Sequence, residues 1–311
     1  MCFIDEMDFI KNYITNNYYR NDSKYPIVIN TAQKGTAIGR KSLIPAFCDL
    51  YGLCHTNSNP YVVSLARNKY HCNCILKSNG LPTTNDYLYL PNEGWLLDKH
   101  PNEGEKVIVK LNYETSSIGL TSDNIFVYDC TKDSFIKNLA SQFNQSVIVE
   151  SFIEGFEVEV PVIIGTETEV VLPVGITVDN QKDLGNQILD YNIRRDLKFG
   201  FYNFEKAQPE ISVKLEECTK RVVQLLGITG FGRVDYRIDY NNNIYVTDIA
   251  TNPHITKGME TDTAHHSYDQ KRIFIQFKDD SCGCRCTVCP REILYFYIIV
   301  LKLQIASLLS I

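Results

Sequence analysis

A chain of 311 residues, 44% apolar and 22% charged, has the length for two or three packed lobes and the composition of an ordinary globular protein. Those figures exclude a wholly disordered chain, a collagen and a polytopic membrane protein. A formal net charge of −6 argues against a nucleic-acid-coating protein, while leaving local Lys, Arg or backbone N–H groups free to bind small anions.

Residues 1–26 are polar and rich in Asn and Tyr, with one helical stretch over 9–18. Residues 26–30 read as a short buried strand and 32–39 as a glycine-containing loop. A helix over 43–51 is closed by Gly52, since glycine takes the left-handed conformation that ends helices. The next helix opens with Asn59 as N-cap and Pro60 in its first position. Val63, Ala66 and Tyr70 form its apolar stripe, and Gly80 and Pro82 end it. Strands are expected over 107–111 and 147–153. Beyond Glu154-Gly155, Phe156, Val158, Val160 and Val162 alternate strictly, with Glu157 and Glu159 on the opposite face. Residues 210–226 form an amphipathic helix in which Ile211, Leu215, Cys218, Val222 and Leu225 share one face and Gly227 is the stop. Two strands follow, over 231–240 and 243–250.

Residues 279–311 differ from everything before them. Cys282, Cys284, Cys286 and Cys289 crowd its start, and 15 of the 19 residues from 293 to 311 are apolar. The other seven of the 11 Cys are scattered through ordinary segments. Residues 1–13 carry Asp5, Glu6 and Asp8 and no apolar run, unlike a secretory signal. A reducing, cytoplasmic setting is expected, with those seven Cys acting as small buried hydrophobes.

The hairpin near residue 240 is the strongest chemical signal. Asn241-Asn242 fits a two-residue type I′ turn, which pairs Tyr240 with Asn243. Counting outward places Asp235 opposite Asp248 and Arg233 opposite Ala250. Two facing carboxylates repel at about 5 Å, and a hard divalent cation is the simplest group to offset that. Arg233, on the same face, suits a phosphate or a developing oxyanion. A solvated polar face continued by Arg237 and Asp239 would satisfy the same spacing.

Upstream segments fit a phosphate site. Lys110 ends an apolar strand, and residues 114–119, Glu-Thr-Ser-Ser-Ile-Gly, follow as a small, donor-rich loop. Glu150 leads into Phe152 and Ile153, an apolar wall for a planar base, and Glu157 has the reach to accept two ribose hydroxyls. Taken singly, each also fits a surface Lys, an ordinary turn or a core strand.

In their order and spacing these segments resemble the ATP-grasp superfamily, and within it the D-alanine–D-alanine ligases, over residues 56–257. Asn68-Lys69 is similar to the helix supplying the family's first phosphate-binding Lys. Ile108-Val109-Lys110 with Ser116-Ser117 resembles the second Lys and the Ser-rich phosphate loop. Residues 149–157 resemble the adenine-hinge strand and ribose Glu. Asp190-Tyr191-Asn192-Ile193-Arg194 resembles the segment reaching the transferred phosphate, with Arg194 in place of the usual Lys. Gly232-Arg233-Val234-Asp235 matches the catalytic Arg and first metal Asp, and residues 245–253 match the family's Glu-x-Asn-x-x-Pro strand.

The resemblance implies an α+β chain: an ATP-grasp fold of two α+β subdomains clamping ATP, preceded by a shortened α/β N-terminal lobe. Residues 1–58 would be that lobe, 59–153 the small subdomain, 154–278 the catalytic subdomain and 279–311 an atypical tail. It implies catalytic roles for Arg233, Arg194 and Ser117. Nucleotide contacts would come from Lys69, Lys110, Ser116, Ser117, Glu150, Phe152, Ile153, Glu157 and Arg194. Asp235 and Asp248 would hold Mg²⁺ or Mn²⁺. The implied activity is ATP-dependent carboxylate–amine ligation through an acyl phosphate, as in peptidoglycan precursor synthesis. Small amino-acid or hydroxy-acid substrates and a homodimer are implied, with no nucleic acid and no membrane partner.

Departures from the family pattern accompany the likeness. Asp248 replaces a Glu, Ala250 a metal-binding Asn and His254 a Gly, while Lys257-Gly258-Met259 stands where a His-Ser pair meets the substrate carboxylate. The family's N-terminal strand, its Gly-rich turn and the acidic residue of its second motif have no counterpart, which sets D-alanine apart as a substrate. A degenerate, non-catalytic ATP-binding protein is one alternative reading. A second places function in the tail, as a membrane anchor or zinc site. Lys302 within the span would cost an anchor about 2.5–3.5 kcal/mol at the bilayer centre, and the Cys spacing is not that of a standard zinc knuckle. A non-native extension is the plainest account of the tail.

Overall fold

The computed structural model describes residues 3, 5–16, 27–30, 38–164, 168–196 and 198–253. Most of the expected 32–39 loop, His254, Lys257, Gly258, Met259 and the 279–311 tail lie outside the described residues.

The N-terminal elements form a small aromatic core. Helix α1 (Glu6–Thr15) is capped by Asp5, whose carboxylate accepts from the Asp8 N–H. Strand β1 (Ile27–Val28) is shorter than the expected 26–30. Helix α2 (Leu43–Tyr51) ends at Gly52 with φ 64°, as its sequence requires. Phe47 meets the rings of Phe9 and Tyr13 edge-on at 5.5 and 5.6 Å. Strand β2 (Cys54–His55) pairs with β1 in parallel for two residues, because the chain then turns into the main body. There the Thr56 carbonyl accepts from the Phe231 N–H, and a Cβ on Gly230 would lie 2.1 Å from that oxygen.

The single helix expected after Asn59 is two. Helix α3 (Pro60–Arg67) has the Asn59 cap and the Pro start, and helix α4 (Lys69–Ser78) begins anew at Asn68. Asn68 is extended and its side chain accepts from the His71 N–H. Asn112 stabilises the break, donating to Asn68 Oδ1 at 3.1 Å and accepting from the Tyr70 N–H at 3.0 Å. The apolar stripe runs through both helices, so periodicity alone could not show the break.

A five-stranded antiparallel sheet follows. Its strands are β3 (Asp86–Leu90), β4 (Gly94–Trp95), β5 (Lys106–Leu111), β6 (Ile125–Val127) and β7 (Val147–Ser151), in the order β4-β3-β7-β5-β6. The strand expected to reach Ile153 stops at Ser151. Helix α5 (Asp133–Phe143) lays Ile136, Leu139 and Ala140 on Val107, Val109, Val147 and Val149. Asp86 pairs across the ladder with Glu150, and its side chain is 4% exposed. Burial raises its pKa to about 6, Glu150 adding and Lys77 at 3.8 Å opposing. A carboxyl whose folded pKa is raised holds its proton more tightly when folded, so it costs stability above that pKa and the cost fades as pH falls toward 4. Asp86→Asn is therefore expected to stabilise the fold by about 1–3 kcal/mol at pH 7.5 and by little at pH 4.5. Thermal melts of both proteins at the two pH values check it; an equal shift at both would refute it.

The second sheet carries β8 (Phe156–Ile164), β9 (Thr168–Val170), β10 (Val174–Val178), β11 (Phe199–Asn203), β12 (Gly230–Ile238) and β13 (Ile244–Ala250). Its order is β11-β10-β8-β12-β13, with β9 on the free part of β8. Short helices α6 (Tyr191–Arg195) and α7 (Phe204–Ala207) flank β11, and α8 (Pro209–Leu226) packs on one face. Leu215 and Val222 of α8, with Leu76 of α4, bury against Val158, Val160, Val162 and Val234, all fully inaccessible. That face is closed to water, so the alternating charged residues of β8 and β12 point to the other.

The hairpin differs from expectation in an informative way. Its loop has three residues, not two: Asp239 and Asn243 close it, and of Asn241 and Asn242 only Asn242 is left-handed, at φ 62°. The Asp239 carboxylate accepts from the Asn241 and Asn243 N–H groups. The inner pairs are accordingly shifted by one, with Tyr236 opposite Val246. A bulge at Thr247, whose hydroxyl donates to the Asp235 carbonyl at 3.2 Å, restores the count. Asp235 then pairs with Asp248 and Arg233 with Ala250, as the sequence predicts.

Candidate active site

Twelve residues singled out in the sequence line one cavity between the two sheets. Lys110, Glu150, Phe152 and Ile153 come from β5, β7 and the hinge; Glu157, Arg233, Asp235 and Asp248 come from the second sheet. Lys69, Ser116, Ser117 and Arg194 close it from α4, the small-residue loop and α6.

Lys110 reaches Glu150 at 2.7 Å. Burial opposes its charge, but Glu150 more than offsets that and the pKa rises. The second Glu150 oxygen accepts from Asn73 at 2.9 Å, so this carboxylate, 1% exposed, is committed to orienting Lys110. Lys69 donates to the Glu114 carbonyl and lies 3.8 Å from Asp248. Burial, with Arg67 and Lys110 adding and Asp248 opposing, lowers its pKa.

Ser116 and Ser117 both adopt φ 57°, uncommon for residues with a Cβ. Ser117 Oγ donates to the Leu189 carbonyl at 2.6 Å and accepts from Arg194 Nε at 3.1 Å. The loop is thereby tied to the second sheet's own loops, across the cavity mouth.

On the second sheet three rows of side chains cross β8, β12 and β13. Glu159, Asp235 and Asp248 form the central row. Arg233 grips both Asp235 oxygens at 2.7 and 2.8 Å and reaches Glu159 at 3.0 Å. Burial raises the Asp235 pKa, with Arg233 opposing and the flanking Glu159 and Asp248 adding. Burial opposes ionisation of Asp248 too, but Lys69, Lys110, the Ile249 N–H and Arg233 outweigh it and its pKa is lowered. Asp235 and Asp248 thus face each other across the ladder with Arg233 and Lys69 as their nearest cations.

Arg237, which sequence spacing left as part of a solvated face, is 6% exposed. It donates to the carbonyls of Ile153, Gly185 and Gln187 and to Glu157, and it stacks 5.2 Å from the Phe152 ring centre. The wall of Phe152 and Ile153 is thus built on a buried Arg. Its place two residues beyond Asp235 on one strand was the available signal. Glu159, the anchor of Arg233, was legible as the partner of Glu157 in the alternation. Lys41 also lines the cavity and no motif marked it, while Thr247 and Asn252 lie within the 245–253 strand motif that assigned them no role. Of the seven scattered Cys, Cys48, Cys72 and Cys218 are buried while Cys74 and Cys130 are exposed, so only part of that set behaves as core.

Comparison with known proteins gives a consistent picture. The family model described as the D-ala D-ala ligase C-terminus matches residues 75–264. A D-alanine–D-alanine ligase of Carboxydothermus hydrogenoformans is 28% identical over 227 residues, 70% of this chain and 69% of that protein. That of Phocaeicola vulgatus is 23% identical, over 70% of this chain and 65% of its own length. The chain thus spans about two thirds of the curated relatives it matches. Among solved structures, the Bacillus anthracis D-alanine–D-alanine ligase complexed with ATP superposes with a TM-score of 0.65 at 16% identity, covering 85% of this chain and 78% of that one. Antiparallel strands on two sheets, with the charged faces turned to a common cavity, are the ATP-grasp arrangement that likeness shows. Since the family match spans well over half of the sequence, the chain belongs to the D-ala D-ala ligase C-terminal family, an ATP-grasp family.

Proposed function

We propose that the chain is an ATP-dependent carboxylate–amine ligase of the D-alanine–D-alanine ligase type, working through an acyl phosphate. The observation that carries this is the convergence of three phosphate-suited cations, Lys69, Lys110 and Arg194, with the Asp235–Asp248 pair and Arg233 in one cavity. Residues 59–153 and 154–278 act as the two subdomains that clamp nucleotide, with residues 1–58 preceding them.

The residues present fit a divalent cation. Asp235 and Asp248 are paired carboxylates on neighbouring strands, and both line the cavity. Two carboxylates suit Mg²⁺ or Mn²⁺, which complete their shells with phosphate oxygens and water. Asn252 also lines the cavity, as does Ala250, which has no ligating atom. The ion, when bound, supplies charge to the β- and γ-phosphates.

The remaining steps belong to the chain's own groups. Phe152 and Ile153 hold the base and Glu157 accepts from the ribose. Lys69, Lys110 and Arg194 neutralise phosphate charge, while the Ser116-Ser117 loop excludes water. A substrate carboxylate oxygen attacks the γ-phosphorus and ADP leaves. The amine of a second small substrate attacks the acyl carbon, phosphate leaves and the amine loses a proton. Arg233, held by Asp235 and Glu159, stabilises the tetrahedral oxyanion. No protein nucleophile is needed. Among the described residues no helix is long and apolar enough to cross a membrane.

The test is an ADP-release screen over D- and L-amino acids, D-lactate and dipeptides. ADP is expected only when both Mg²⁺ or Mn²⁺ and an acceptable substrate are present. Nucleotide binding with no ADP from any combination would favour the non-catalytic alternative.

A further inference from the structure

Arg237 lies at the base and ribose end of the cavity and ties three stretches of chain to one another. Its Nε donates to the Ile153 carbonyl of the hinge at 3.0 Å. Its Nη1 donates to the Gln187 carbonyl at 3.1 Å and to Glu157 Oε2 at 3.3 Å, and its Nη2 to the Gly185 carbonyl at 3.0 Å. Glu157 stands directly opposite Arg237 across the β8–β12 ladder. A guanidinium is planar and its N–H groups point in fixed directions, so these four bonds set the three stretches in one geometry.

The stretch over 183–189 has further ties. The Leu184 N–H donates to the Gly155 carbonyl at 3.1 Å, and Lys106 bridges Glu154, at 2.5 Å, to Asn186. At the other end the Leu189 carbonyl accepts from Ser117. The stretch therefore runs from the hinge to the phosphate loop. Ile188 and Leu189 line the cavity, while residues 183–187 lie outside its lining. Glu157, held through Oε2, keeps Oε1 to accept from a sugar hydroxyl. A carboxylate fixed by a charge-assisted bond loses its rotamer freedom before the nucleotide arrives, which favours binding.

We infer that Arg237 is a positioning residue for the ribose: it aims Glu157 at the sugar hydroxyls and couples that contact to the hinge and to residues 183–187. This rests on the nucleotide site of the ligase reading and adds to it the residue that sets sugar recognition.

The experiment titrates β,γ-methylene ATP and its 2′,3′-dideoxy counterpart, each with Mg²⁺, into the full chain by calorimetry. The unaltered protein is expected to favour the ribonucleotide by about tenfold or more. Arg237→Lys keeps the charge and loses the fork. It should weaken ribonucleotide binding by about tenfold and dideoxy binding by less than about threefold, so that sugar discrimination nearly vanishes. Equal weakening of both analogues would overturn the inference, leaving Arg237 a contact of the base or a support of the fold. Failure of the unaltered protein to bind either analogue would overturn it together with the nucleotide site. Absence of ADP release from every substrate would refute the ligase reading alone, since this test reads only binding. A second measurement needs no variant and decides the matter if Arg237→Lys does not fold. Amide hydrogen exchange over 183–187 in the unaltered protein should slow more with saturating ribonucleotide than with the saturating dideoxy analogue. The sugar contact reaches those residues through Glu157 and Arg237, and equal protection by both analogues would overturn the inference.

Discussion

Lys110→Ala is expected to lower kcat/KM for ADP formation by about a hundredfold to a thousandfold. The same change removes the 2.7 Å partner of Glu150, a carboxylate 1% exposed that would keep only Asn73. Leaving a buried charge uncompensated costs about 3–5 kcal/mol, so lost activity could arise from unfolding alone. The double variant Lys110→Met, Glu150→Gln separates the two effects. It replaces the ion pair with neutral groups of similar volume and retains the amide contact to Asn73, so its melting temperature should return toward that of the unaltered protein. Its ADP release should not return. Recovery of activity with stability would mean that Lys110 serves the fold and not the phosphates.

Asp235→Asn should also separate activity from stability. Asp235 faces Glu159 on one side and Asp248 on the other, and burial already raises its pKa. Neutralising it relieves like-charge repulsion across two ladders but weakens the bonds from Arg233 at 2.7 and 2.8 Å, leaving Arg233 its ion pair with Glu159 at 3.0 Å. These effects oppose each other, so the melting temperature is expected to change little. Turnover is expected to fall by about a thousandfold, as half of the paired carboxylate donor set is gone. The residual activity should also need more Mg²⁺ or Mn²⁺ for half-saturation. A variant that is fully active at unchanged metal demand would remove Asp235 from the metal site. A stable, inactive protein would mark Asp235 as a residue kept for chemistry and not for the fold.

Much of this site was legible because its residues are marked by local rules. The Gly52 and Gly227 stops, the Asn59 cap and the alternation of β8 each depend on a few neighbouring residues. The Asp235–Asp248 pairing was also predicted, but for a reason only half right. The expected loop was one residue too short, and the Thr247 bulge, which no spacing reveals, compensated for it. The break at Asn68 was hidden for a similar reason: Asn112, 44 positions along the chain, holds it in place.

The sequence by itself marked twelve residues that line the cavity, since each lies at a fixed offset within a strand, cap or loop. It determined the apolar faces of α8 and β8, because period is a local property. Only the tertiary structure decided how those charges are partnered. Glu150 orients Lys110, Glu159 anchors Arg233 and Arg237 supports Phe152. Each of those outcomes depends on which distant carboxylate or carbonyl comes within a few ångströms in a water-poor cavity. There, one missing or added partner outweighs any propensity the local sequence expresses.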